Sequence, residues 1–113
     1  MTRWDTYLLS EFVGPILCSA GNRYPSVRAC LRALDEFEAK DFVIVGMEGL
    51  ATDGVHIIPS VDHIADFSSI SGERHERLSR SIDAARSLLR GWQGVIDYVD
   101  VSVDEGNGSQ DGP

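Results

Sequence analysis

A chain of 113 residues with 42% hydrophobic content has the size of one domain with a modest core, and no apolar run approaches the roughly 20 residues of a membrane span. The formal net charge of −8 repels nucleic acid and anionic membranes and favours a cationic partner, although the same excess also serves ordinary solubility. The two cysteines, Cys18 and Cys30, lack any zinc-type spacing, and without a signal-peptide pattern the expected location is the cytoplasm.

Residues 1–25 read two ways. Trp4, Tyr7, Leu8 and Phe12 have helical spacing with a start near Asp5 or Thr6, while Tyr7-Leu8-Leu9 also fits a short strand. Gly14-Pro15 ends whichever forms, Ile16-Leu17-Cys18 reads as a short extended piece, and Gly21-Asn22 reads as a turn. The next segment is a helix. Ser26 is its expected N-cap, and Val27, Cys30, Leu31, Leu34 and Phe37 form its apolar stripe. Cys30 on that stripe is expected as a buried free thiol. Asp35, Glu36 and Glu38 near the C-terminus oppose the helix dipole, which is a hint that they serve something else.

The stretch from Phe42 to Ser69 organises the chain. Phe42-Val43-Ile44-Val45 suits a strand covered on both faces. Asp53-Gly54 is a type I′ turn signal that would pair Thr52 with Val55, Ala51 with His56, Leu50 with Ile57 and Gly49 with Ile58. That register buries Leu50 against Ile57 and half-buries His56 on the face of Val43 and Val45. Gly46 and Gly49 can mark a bulge that shifts it. Pro59 should end the return strand or lie at an edge, and Ile64–Phe67 is expected as a short third strand.

Ser68–Gly72 is read as a loop into a second long helix. Leu78, Ile82, Ala85, Leu89 and Trp92 form its stripe, with Glu73–Arg77 and Glu76–Arg80 as favourable i,i+4 pairs. His75 in the first turn should be exposed. Val95–Val103 is expected as the last strand, with Val95, Val99, Val101 and Val103 on one face. The expectation is an α+β domain over residues 1–104, a mainly antiparallel sheet with two long helices packed on one face. Residues 105–113 would be a disordered acidic tail.

Charge is segregated along this order. Residues 1–40 carry five acids and five bases, 41–73 six acids and no base, 74–90 a net of +3, and 91–113 five acids and no base. The acid excess therefore lies on the strand regions, which selects Glu48, Asp53, Asp62, Asp66, Asp97 and Asp100 as contacts for a protein partner with a basic surface. No catalytic, metal or cofactor residues are assigned. Asp62, His63 and Asp66 come nearest to a site but lack the spacing of a standard metal motif. Cys18 has no basic neighbour to activate it, and Gly46-Met47-Glu48-Gly49 is not a phosphate loop.

The pattern FVIVGMEG, then DG, then HIIPSVDHIADFSS, with its flanking helices, resembles the small acidic immunity proteins of bacterial polymorphic and contact-dependent toxin systems. The resemblance is one of layout. It implies a non-enzymatic protein that binds a cognate toxin nuclease or other effector domain and blocks its active site, with Glu48, Asp62 and Asp66 as contacts. Two rivals stand beside it. One is a small acidic regulatory or nucleic-acid-mimicking protein with regularly spaced carboxylates. The other is a small enzyme centred on His63 and Asp66.

Overall fold

In the computed structural model, which describes residues 2–106, the N-terminal stretch is a helix, α1 (Arg3–Ser10). Its start is Thr2, earlier than Asp5 or Thr6, because the Thr2 hydroxyl accepts the Asp5 N–H. Helix α2 (Val27–Ala39) begins as expected, with Ser26 Oγ accepting from the Ala29 N–H. It ends in a Schellman motif: the Phe42 N–H bonds to Phe37 O and the Asp41 N–H to Glu38 O. Asp41 takes the left-handed position of that motif, at φ 63°, where glycine is the usual residue. Helix α3 (Arg74–Trp92) opens on a reciprocal capping box between Glu73 and Glu76.

The expected stripes are the buried ones. Leu34 and Phe37 of α2 and Ile82, Ala85 and Leu89 of α3 are fully buried, and Cys30 is a free, buried thiol whose pKa is pushed up to about 12 by that burial. Helix α1 adds an aromatic cluster. Trp4 meets Phe37 edge-on at 5.1 Å and Phe42 at 5.4 Å, while Tyr7 meets Phe37 at 5.7 Å. Two of the three acids that oppose the α2 dipole are used across the fold: Asp35 accepts from Arg86 at 3.0 Å, and Glu36 accepts from the Tyr7 hydroxyl.

The chain is α+β, and the described residues form three helices and two antiparallel sheets, so the short α1 and a second small sheet add to the expected two long helices and mainly antiparallel sheet. Strands β1 (Ile16–Ser19) and β2 (Asn22–Pro25) form a hairpin. Strands β3 (Val43–Thr52), β4 (Ile57–Asp66) and β5 (Tyr98–Asp104) form a sheet in the order β4-β3-β5. Ser26 bridges to Tyr98, so the hairpin lies beside the start of β5.

The type I′ turn is in the first hairpin. Ala20 and Gly21 both have positive φ, 52° and 81°, between the paired Ser19 and Asn22. At the second hairpin only Gly54 does, at 93°. The loop there spans four residues, closed by the Asp53 N–H on His56 O, and Asp53 Oδ1 accepts the N–H groups of both Val55 and His56. Thr52 therefore pairs with Ile57, Ala51 with Ile58 and Leu50 with Pro59, which corrects the expected register by two residues. His56 is consequently exposed in the loop and not half-buried on a strand.

Two irregularities shape β3. Toward β4, the register jumps from Leu50–Pro59 to Glu48–Ile64, so Ser60–His63 bulge opposite Gly49. Gly49 permits this, since a Cβ there would lie 2.8 Å from the His63 Cβ and 3.1 Å from Ile96. The expected third strand is therefore the second half of β4. Toward β5, the register shifts between Ile44 and Gly46. The buried Ser81 hydroxyl repairs that break by accepting the Ile44 N–H at 3.1 Å and donating to Leu78 O. The last strand starts at Tyr98, later than Val95. Gly94 at φ 87° turns the chain back on α3, the N–H groups of Val95 and Ile96 bond to Trp92 O, and Ile96 is buried while Val95 is exposed.

The tail expected from residue 105 begins later. Glu105 is buried, and its carboxylate accepts from the Arg3 N–H at 2.9 Å and the Trp4 N–H at 2.8 Å, closing the first turn of α1. Residues 107–113, where the rest of that expectation falls, lie outside the described residues.

Candidate protein-binding face

Cross-strand partners share a face of a sheet, so the register sorts the β3 side chains. Ile44 pairs with Val103, Met47 with Val101 and Gly49 with Val99, and these line the core. Gly46 pairs with Ser102, Glu48 with Asp100 and Leu50 with Tyr98 on the opposite face. From β4, Asp66 beside Gly46 and Ile64 beside Glu48 join that second face. Glu48, Asp66 and Asp100 are thus brought onto one surface, with Glu48 and Asp100 directly opposite each other.

The other three candidate contacts are not on it as a group. Asp62 is exposed within the β4 bulge. Asp53 is spent on its own turn, and those bonds, led by the His56 N–H, hold its carboxyl below the usual range. Asp97 is exposed in the loop before β5, where its carbonyl, not its carboxylate, bonds the Val27 N–H. Glu48, Asp62, Asp66, Asp97 and Asp100 make no ion pair among the described residues. Four acids near arginines are paired: Asp41 and Asp104 with Arg74, Asp35 with Arg86, and Glu76 with Arg80.

Two carboxylates face to face across a ladder disfavour the fold. Asp100 is further penalised, since its partial burial raises its pKa above the ordinary 3.8. Asp66 is shifted down by its bonds from Ser68. An acid with a raised folded-state pKa destabilises above that pKa, and the penalty fades as pH falls through it. Asp100→Asn is therefore expected to stabilise the protein at neutral pH by ~0.2–1 kcal/mol and to have no such effect near about pH 3. Urea midpoints at the two pH values check this, and an equal gain at both would show that charge is not the cause.

The catalytic rival has a specific geometry to meet. His63 folds over Gly49 on the core side, edge-on to Trp92 at 5.5 Å, and shares a 2.7 Å hydrogen bond with Ser60 Oγ. Asp66 projects from the other face, so the sheet separates the two residues. Among the described residues no three His, Cys, Asp or Glu side chains gather as a metal-ligand group, and no helix is long and apolar enough to cross a membrane.

Sequence reasoning placed Glu48, Asp66 and Asp100 among the contacts but missed that Glu48 and Asp100 are neighbours. That pairing depends on two register shifts, for which Gly46 and Gly49 were the only local signal. Compared with protein-family models, curated proteins and solved structures, the chain gives no match.

Proposed function

We propose that the protein is a non-enzymatic binding module that captures and neutralises a cationic protein domain, in the manner of an immunity protein acting on a toxin. The observation that supports this reading is the acidic sheet face. Glu48 and Asp100 stand side by side and Asp66 one register step away, all without ion-pair partners among the described residues. A like-charge pair directly opposite across a ladder is a feature that a cationic partner would relieve. The carboxylates steer encounter, and contacts to Tyr98 and Ile64 on the same face then hold the complex. A nucleic-acid mimic calls for a regular row of carboxylates, and an irregular group of three on one face favours the protein partner instead.

The test is co-expression with cationic toxin domains at limiting inhibitor, scored by survival, alongside association kinetics for any pair that protects. Glu48→Gln, Asp66→Asn and Asp100→Asn together should lower the association rate about 10–100-fold at low salt, with dissociation little changed. Wild-type association should also fall steeply as salt is raised. A triple variant that protects and associates like the wild type would refute capture through this face.

A further inference from the structure

The acidic face ends at an open strand edge. Strand β4 pairs only with β3, and its far side has no strand partner among the described residues. The Phe67 N–H bonds to Val45 O, which makes Gly46–Asp66 a non-hydrogen-bonded pair. By alternation Glu48–Ile64 is another, so the backbone N–H and C=O groups of Ile64 and Asp66 point outward from the sheet. Exposed large apolar side chains concentrate on this strand and its turn. Val55 is 83% exposed, Ile58 50%, Val61 81% and Ile64 57%. Sheet edges are commonly guarded by lysine, proline or a bulge. Pro59 and the Ser60–His63 bulge guard the first half of β4, but Ile64-Ala65-Asp66 has none of these.

We propose that the β4 edge at Ile64–Asp66 accepts one extended strand of the cationic partner, which adds a fourth strand to the β4-β3-β5 sheet. This rests on the binding reading above and names how the partner would be held. An antiparallel or parallel strand at this edge takes its main-chain bonds from Ile64 and Asp66. Its side chains on the acidic face then lie next to Ile64, which asks for an apolar residue, and next to Asp66, which asks for Lys or Arg. A second copy of this chain is the poorer occupant, because pairing β4 with itself sets Asp62 and Asp66 against their own like charges.

The probe is a capped peptide of the repeat Lys-Lys-Val-Val, which alternates lysine and valine along each face of an extended strand, with a Lys-Lys-Gly-Gly peptide of equal charge as the control for charge alone. The lysine–valine peptide should slow hydrogen exchange at the Ile64 and Asp66 amides. Ile64→Lys, which places a guard on the edge without changing the backbone, should weaken its binding about tenfold. Ile64→Pro removes the outward N–H but leaves the β3 ladder intact, and it should do the same. If the peptide binds while those two amides exchange freely, the edge inference is overturned and the acidic-face reading stands. If the lysine–valine peptide does not bind, the edge inference is again overturned, and if the lysine–glycine peptide also fails, the acidic-face reading falls with it.

Discussion

Glu105→Ala is expected to destabilise the protein by about 2–4 kcal/mol, a large share of a small domain's stability. The Glu105 carboxylate takes the backbone N–H groups of Arg3 and Trp4, one on each oxygen, and its carbonyl takes Arg3 Nη1 at 3.0 Å. Arg3 Nη2 continues to Lys40 O at the end of α2. The Glu105 carboxylate thus closes the start of α1 from the end of β5, and the Arg3 guanidinium extends the link to α2. Truncation leaves two amides without their acceptor at the edge of the Trp4–Tyr7–Phe37–Phe42 cluster, and the Trp4 bond is buried. Glu105→Gln keeps one acceptor and should lose about half as much. Urea denaturation followed by tryptophan fluorescence measures both. A loss under about 0.5 kcal/mol for the alanine variant would show that α1 does not depend on this residue.

Arg74→Met should cost a similar amount, about 2–3 kcal/mol, although its stem is conserved in volume. The guanidinium donates from Nε to Asp41 Oδ2 at 2.8 Å, and from Nη2 to Asp41 O at 2.7 Å and to Asp104 O at 2.8 Å. It holds the left-handed Asp41 against the first turn of α3 and the end of β5. Gly106 passes directly over it, where a Cβ would lie 2.8 Å from Arg74 Cζ. Arg74→Lys should recover less than half of the loss, because a point charge cannot reach three acceptors in a planar fork. Two of the three acceptors are backbone carbonyls, so the cost should persist in high salt. A cost that vanishes in high salt would mean that the Asp41 and Asp104 charges, not the fork, carry it.

The parts of this fold that were legible in the sequence are those governed by local chemistry. Ser26 caps α2 because its hydroxyl reaches three residues on, and the stripe from Leu78 to Trp92 needs only the helical period. The parts that were not legible depend on distant residues. Asp53-Gly54 has the composition of a two-residue turn, but Asp53 binds two amides of its own loop and widens it. The β4 bulge exists because His63 fills the space left by Gly49 and packs on Trp92, which is 29 residues away in the chain. Glu105 reads as a tail acid until Arg3 and Trp4 are brought beside it. The acidic face shows the same division. The charge pattern picked out Glu48 and Asp100, but their adjacency follows from pairings that no local pattern encodes.

The bond from Arg3 to Glu105 spans 102 positions. A ribosome adding about 5–20 residues per second leaves α1 exposed for roughly 5–20 s before its last partner is made. Over that interval Trp4 and Tyr7 have Phe37 and Phe42 available but not the carboxylate that closes the helix. The nascent chain should therefore gain its protease resistance late and in one step, as Glu105 leaves the exit tunnel, and not helix by helix.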